Sequence, residues 1–588
     1  METPGAGTGH ANDYRLVIGI DFGTTYSGIA WAQSERPDRN ILINDWPSSR
    51  MNGAGVLSPK VQTKLRYLND RGSEFEWGFQ IQDDAQPQQI LSLFKLGLGQ
   101  GKLRSSAEAV GKSLNFRNVD QNITDYLSGL FQHFVNIIRR QMGTGILEYA
   151  PVQFILTVPA IWSDYAKQRT LEAFERIPSL PKGHSTTLLS EPEAAAIAAL
   201  QEISRHNLTV NDSFVIVDAG GGTVDLITYT ITALHPVLEV VEATEGTGDF
   251  CGSSRLNDRF AELLISRFRD VAGWNQDILN DALEHFESNT KRRFTMNALA
   301  CDQSFAVPVR GLGYNAELGI HKAGRLSLRS DELHMLFEPD VLRIIQLVKE
   351  QIALANVKIQ KILMVGGYGS SMYLRERLHI AIQEDASMGK NIEILQPPNS
   401  WTSVVSGAVM KGLSLANPTN YDVPIVKART ARKHYGYVLG VEFDDIEHQT
   451  IRPKRYYDGR RGVWRVEAMH WIIKRGKLVS EDTPFLKTLI DSRPVSSGRR
   501  REMVMQVYAD QVSDEAPLAQ NSNVQLLCRV TANLDHIPDD QLDKELGVDG
   551  HMYYAVEFQI EAVYRSASTE YTLIHKGRRY NTVTAEYV

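Results

Sequence analysis

Two aspartates, Asp21 and Asp218, each end an apolar run and open a turn of glycine and threonine. The segments are Val17-Ile-Gly-Ile-Asp21-Phe-Gly23-Thr24-Thr25-Tyr26 and Val215-Ile-Val-Asp218-Ala-Gly220-Gly221-Gly222-Thr223-Val-Asp225. Apolar residues resume after each turn, so both read as strand, turn, strand. Glycine and threonine let backbone N–H groups and hydroxyls approach phosphate oxygens closely. A carboxylate does not bind phosphate itself. It fits a strand end where a hydrated Mg²⁺ stands between it and the phosphates, because this hard ion keeps its waters and prefers carboxylate oxygen. A single copy reads equally well as an ordinary Asp/Gly turn; two copies facing each other would clamp one Mg-nucleotide from both sides. A third segment, Lys361-Ile-Leu-Met-Val-Gly366-Gly367-Tyr368-Gly369-Ser370-Ser371, is a buried strand running into a glycine turn, with Tyr373, Leu374 and Leu378 opening a helix. Such a junction lets a flat adenosine lie against the backbone.

The elements between these turns alternate. Residues 121–142 place Leu127, Leu130, Phe131, Phe134, Ile137 and Ile138 at helical spacing, and 152–158 reads as a buried strand. Ser163 is a fitting N-cap for a helix that buries Leu171 and Phe174. Residues 331–355 repeat the helical period with Phe337, Val341, Ile344, Ile345, Val348 and Ile352. Such stripes read as core.

The order of the first hairpin, Val158-Pro-Ala160, Ser190-Glu191-Pro-Glu-Ala-Ala-Ala196, the second hairpin and Val365-Gly366-Gly367 resembles the nucleotide-binding domain of the heat shock protein 70 chaperones. That domain belongs to the actin and sugar-kinase superfamily. The resemblance covers residues 14–415 and implies an α/β fold. It implies a two-lobed, actin-like ATPase domain, a duplicated ribonuclease-H-like fold, opening and closing around Mg-ATP or ADP. It further implies that Asp21 and Asp218 hold the hydrated Mg²⁺. Gly23, Thr24, Thr25, Tyr26, Gly220, Gly221, Gly222 and Thr223 would then contact the nucleotide, Asp225 would position the attacking water, and Glu191 would sit at the hinge near the metal. Lys95, in Leu93-Phe94-Lys95-Leu96-Gly97, is similar to the family's lysine that assists hydrolysis; the residue-level alternative is a lysine whose stem snorkels over apolar surface. Glu287 to Thr295 is similar to the adenine-binding helix in a register shifted by one, which points to Lys291 and Arg292. Gly252 and Ser253, after Gly246-Thr-Gly248, resemble the lobe-II phosphate and ribose contact at shifted spacing. Gly366, Gly367 and Tyr368 carry the adenosine motif. The chain departs from the family in Ile161-Trp162-Ser163-Asp164 after Val-Pro-Ala, and in Ser400-Trp401 where the family has a polar or acidic residue.

Composition agrees with a large multidomain chain: 588 residues, 43% of them apolar. A net charge of −7 and a pI near 6.1 argue against a protein that coats nucleic acid. Cys251, Cys301 and Cys528 match no disulfide or metal pattern, which favours a reducing compartment, the cytoplasm or nucleus. Residues 1–13 are small and polar and are expected to be a disordered N-terminus without a signal sequence. No apolar run is long enough to span a membrane. The Asn-x-Ser/Thr matches at Asn122, Asn207 and Asn211 read as chance.

Past residue 415 helical periodicity fades and short β-like runs follow at 435–443, 463–473, 503–508, 524–530 and 553–564. Residues 416–588 are therefore expected to form a β-rich C-terminal domain. In the family such a domain binds extended polypeptide beneath a helical lid. The long helical lid region, the acidic-leucine linker and the matching tail are missing here, so the chain more closely resembles a divergent, lid-less heat-shock-70-like branch. Trp471 to Lys477 is similar to a strand and loop of the chaperone sandwich. Basic residues gather at Lys427 to Lys433, Arg452 to Arg461 and Arg499 to Arg501, with Tyr456, Tyr457 and Trp464 among them. They read as charge-guarded strand edges rather than a nucleic-acid surface.

Three functions follow from this reading. The first is a slow, chaperone-like ATPase whose C-terminal domain takes unfolded polypeptide or a protein partner. The second is a nucleotide-gated docking protein with little turnover. The third is a sugar kinase on the same fold, which would need a base and a sugar pocket between the lobes.

Overall fold

The computed structural model describes residues 14–49, 55–69, 71–82, 85–99, 119–203, 208–388, 391–416, 422–535, 537–580 and 583–587. The expected disordered stretch 1–13 lies outside them. The chain divides into two compact units, Met1–Ile425 and Val426–Val588.

The first unit contains two sheets that share one strand order over five strands each. Its strands are β1 (Leu16–Asp21), β2 (Tyr26–Gln33), β3 (Arg36–Leu42), β4 (Val152–Val158) and β5 (Ser185–Ser190) in one sheet. The second sheet contains β6 (Ser213–Ala219), β7 (Val224–Ala233), β8 (Glu239–Asp249), β9 (Ile359–Val365) and β10 (Glu393–Leu395). The spatial order is β5-β4-β1-β2-β3 in the first and β10-β9-β6-β7-β8 in the second. In each, an antiparallel meander of three strands continues into two parallel ones. β1, β4 and β6 are buried along their whole length, and their near-continuous apolar sequences are what a strand with covered faces requires. Asp21 ends β1, and Asp218 stands one residue from the end of β6. These C-terminal ends are the edge of an open α/β sheet where ligands collect.

Helices cover both sheets. Helix α1 (Val119–Met142) buries Leu127, Leu130, Phe131, Phe134 and Ile138, the stripe expected from its periodicity. Ser163 caps α2 (Asp164–Glu175), its hydroxyl accepting the Ala166 N–H at 3.2 Å. Helix α3 (Glu191–Glu202) starts with Glu191-Pro192 and is buried through an alanine-rich stretch. α4 (Ser254–Phe268), α5 (Ser330–Ala355) and α6 (Met372–Glu384) pack on the second sheet, where Phe337, Val341, Ile344 and Val348 enter one core with Val215, Val217 and Leu226. Helix α7 (Ser403–Ala416) crosses α3 at Gly407, where a Cβ would lie 1.8 Å from the Ala194 carbonyl oxygen. The two backbones touch, and only glycine permits it.

The second unit holds two antiparallel sheets. One runs Tyr456–Asp458, Val463–Ile473, His434–Glu442, Glu502–Asp510, Gln525–Asn533, Val583–Tyr587; the other runs Phe485–Pro494, Met552–Tyr564, Thr569–His575, Arg578–Tyr580. Met503, Met505, Val507 and Val530 from the first sheet and Val556, Phe558, Ile560 and Leu573 from the second share one core, so the sheets pack face to face. Among its described residues this unit has no α-helix. Its arginines are largely engaged with acids: Arg465 with Asp458 at 3.0 Å, Arg499 with Asp539 at 2.7 Å, Arg500 with Asp491 at 3.3 Å, and Arg460 with Glu545. Across the described residues no helix is long and apolar enough to cross a membrane.

Candidate functional site

The two Asp-Gly/Thr turns meet. A Cβ on Gly221 would lie 2.0 Å from Thr25 Oγ1, and one on Gly222 would lie 2.6 Å from Thr24 Oγ1. The threonines of one turn therefore fill the space that side chains on the other would need. Each turn is braced separately. Thr63 ties the first: its hydroxyl donates to the Gly23 carbonyl at 2.9 Å, and its N–H donates to the Thr25 carbonyl at 2.8 Å. The second is pinned from behind, the N–H groups of Gly252, Ser253 and Ser254 donating to the carbonyls of Gly222, Gly220 and Gly221 at 3.3, 3.1 and 2.9 Å. The third turn closes beside it. Gly366 has φ +82° and its N–H donates to the Ser400 carbonyl at 3.0 Å; a Cβ there would come within 2.5 Å of Asp218 Oδ1.

These turns wall a cleft lined by Asp21, Gly23, Thr24, Thr25, Tyr26, Glu191, Asp218, Gly220 to Thr223, Ser253, Lys291, Arg292 and Gly366 to Tyr368. All of these were expected from the sequence. Lys95, Asp225 and Gly252 stand behind this lining. The Lys95 ammonium is buried, 2.7 Å from Glu191 Oε1 and within 5.4 Å of the Phe22 and Trp162 ring centres. Asp225 pairs across the hairpin with Asp218, and its Oδ1 accepts the Ile161 N–H at 3.2 Å.

The cleft also contains Lys60 and Val404, which no motif included, Glu287, Ser370 and Ser371, which lie inside motif segments without an assigned role, and Trp401, which the sequence marks only as a departure. Lys60 Nζ donates to Asp21 Oδ2 at 2.5 Å. Glu287 accepts from Lys291 at 2.5 Å and from Asn257 at 2.8 Å. Trp401 meets Tyr26 edge-on at 5.6 Å between ring centres, with the Arg292 guanidinium 6.0 Å from the indole. Cation and aromatic faces at such spacing suit a flat, electron-rich ring.

Electrostatics single out the acid end. Burial pushes the Glu191 carboxyl up to about 7; Lys95 opposes this, while Asp21 and Asp225 add to it. The Asp218 carboxyl is raised well above its usual range by burial first, then by Glu191, Asp225 and Asp21, with Lys60 opposing. Burial lowers the Lys291 ammonium, and Glu287 pulls it back. When all are ionised, four carboxylates (Asp21, Asp218, Asp225, Glu191) face two ammonium groups (Lys60, Lys95). Buried excess negative charge is costly, and a divalent cation with its waters would offset it. The donor set is all oxygen, which suits Mg²⁺. Among the described residues no group of three His, Cys, Asp or Glu side chains is placed to hold a metal ion directly.

No protein-family model matches the chain. Among curated proteins it is similar to heat shock 70 kDa protein 12B of Homo sapiens, 23% identical over 579 residues that span 84% of this chain and 80% of the relative. Heat shock 70 kDa protein 12A of Mus musculus is 23% identical over 517 residues, 72% of this chain and 74% of the relative. A chaperone protein HscA homolog of Rickettsia bellii is 22% identical over 439 residues, 73% of this chain and 62% of the relative.

Proposed function

We propose, from its standing as a divergent heat-shock-70-like protein, that this chain is a chaperone-like ATPase which binds Mg-ATP in the cleft of its first unit. The observation that carries the reading is the interlock of Thr24 and Thr25 with Gly221 and Gly222, with Asp21 and Asp218 at the two strand ends behind it. In this reading the repeated strand order is that of a duplicated ribonuclease-H-like fold, and the first unit is a two-lobed actin-like ATPase.

The turns would receive the phosphates on their N–H groups and threonine hydroxyls. Asp21 and Asp218 would hold a hydrated Mg²⁺, which when bound would neutralise phosphate charge. Asp225, fixed by the Ile161 N–H, would orient the attacking water. Glu191 lies in the first turn of α3 and is held by Lys95. With its carboxyl raised to about 7 it is suited to hold or yield a proton near neutral pH. Gly366, Gly367 and Tyr368 on one side and Arg292 with Lys291 on the other would hold the nucleoside. The β unit would take unfolded polypeptide or a protein partner in response to the nucleotide.

A second reading, nucleotide-gated docking with little turnover, draws on one observation. Lys95 is 1% exposed, paired with Glu191 and outside the cleft lining. A lysine so engaged must break that pair to reach a phosphate.

Single-turnover hydrolysis of ATP with Mg²⁺, alone, with an unfolded polypeptide and with a panel of sugars, separates the readings. Stimulation by polypeptide supports the coupled ATPase. Tight binding without turnover supports the docking protein, and phosphate transfer to a sugar would overturn both.

A further inference from the structure

Lys60 belongs to no phosphate motif, yet its position is built with care. It precedes Val61–Gln62, a two-residue strand that pairs with Ser27 and Tyr26 at the start of β2. The Lys60 carbonyl accepts the Ser58 hydroxyl at 2.7 Å, and Thr63 ties the following backbone to the first turn. The methylene stem runs past Gly28, where a Cβ would stand 3.4 Å from Lys60 Cγ. The side chain is 8% exposed, and its Nζ lies 2.5 Å from Asp21 Oδ2, itself 5% exposed, in the wall of the cleft.

An ammonium group has three N–H donors in a rotating head, and one goes to Asp21. The pair cancels the charge of one of the two carboxylates that would repel a polyphosphate. The cation is already paid for in translational entropy, since the chain tethers it. Lys60 also pulls the Asp218 carboxyl down through space, but its hydrogen bond goes to Asp21, so the two strand ends differ. We propose that Lys60 is a tethered cation of the phosphate site, through which the cleft binds nucleoside triphosphate without a divalent metal. This rests on the nucleotide reading of the cleft and adds to it: Lys60 secures triphosphate binding whether or not a metal is held between Asp21 and Asp218.

The test is ATP binding to the full chain by calorimetry, in Mg²⁺ and in excess EDTA, for the wild type, Lys60→Met and Lys60→Gln. In the wild type, replacing Mg²⁺ by EDTA weakens binding by less than about tenfold. Lys60→Met weakens binding in EDTA by about a hundredfold and recovers most of it with Mg²⁺, the loss expected for one charge-assisted contact. Lys60→Gln keeps a donor for Asp21 without the charge and follows Lys60→Met; circular dichroism melting in Mg²⁺ confirms that each variant folds. Wild-type binding that vanishes in EDTA, or variants that bind in EDTA as the wild type does, would overturn the role of Lys60 and leave the nucleotide site standing. Absence of ATP binding in both media would remove the nucleotide reading itself, and Lys60 with it.

Discussion

The hairpins that end in Asp21 and Asp218 share strand order, strand direction and turn chemistry, but they settle their charge differently. Asp21 is neutralised from within by Lys60 at 2.5 Å. Asp218 lies against the Gly366 turn, its carboxyl raised by burial and by three neighbouring acids. The bracing differs as well, a side-chain hydroxyl and an added strand on one side and a helix N-terminus on the other. A scaffold can be repeated while its electrostatics diverge, because charge balance is decided by residues outside the repeat.

The contrast can be broken at the point where the hairpins touch. Gly221→Ala drives a methyl into Thr25 and should weaken ATP binding by about a hundredfold with secondary structure intact, since a displacement near 1 Å costs that much at a positioned site. Adding Thr25→Ala should restore part of the affinity, and a double variant as weak as the single one would show that the interlock is not what aligns the turns. At the next level, Asp218→Asn should reduce Mg²⁺-dependent ATP turnover by about thirtyfold, while Asp21→Asn, which leaves the Lys60 charge in the cleft, should reduce ATP affinity by no more than about fivefold. Equal losses at the two positions in binding and in turnover would erase the distinction drawn here.

Behind the hairpins, Lys95→Ala should slow single-turnover hydrolysis by about tenfold and leave ATP affinity within about twofold. Unchanged hydrolysis would move the assisting charge to another residue. The smallest effect concerns pH. Between about 4.5 and about 7 the unfolded Glu191 is ionised while the folded one keeps its proton. The folded state then binds more protons, so this contribution to stability is full below the window and is lost as pH rises through it. Without Mg²⁺, the melting temperature should fall from about pH 5 to about pH 7.5, less steeply in Glu191→Gln; a rise over that range would reverse the assignment.

What could be read in advance was local. Buried strands such as Val152–Val158 and the cap at Ser163 follow from neighbouring residues, and the Gly/Thr turns carry their own geometry. In the β unit, Val463–Ile473 was legible from its run of β-formers, whereas Phe485–Pro494 was not. Leu486 and Ile490 are exposed there and Phe485 and Leu489 half-buried, so apolar residues fall on both faces and the alternation disappears. The site divides in the same way. Resemblance led to Lys291 and Arg292, which do line the cleft. Lys60 has no local signature, because its meaning depends on a strand pairing with Tyr26 and Ser27 and on the missing side chain of Gly28. Trp401 was visible as an oddity, but its contact with Arg292 and Tyr26 joins three distant stretches of chain.

The crossing of α3 and α7 at Ala194 and Gly407 has a consequence in mechanical terms. Glu191 opens α3 at the acid end of the cleft; Trp401 and Val404 stand at the start of α7 at the aromatic end. Because the backbones are in contact, the helices cannot approach further at that point. The crossing therefore acts as a stop, fixing the closest approach of the helix that carries Glu191 to the helix that follows Trp401.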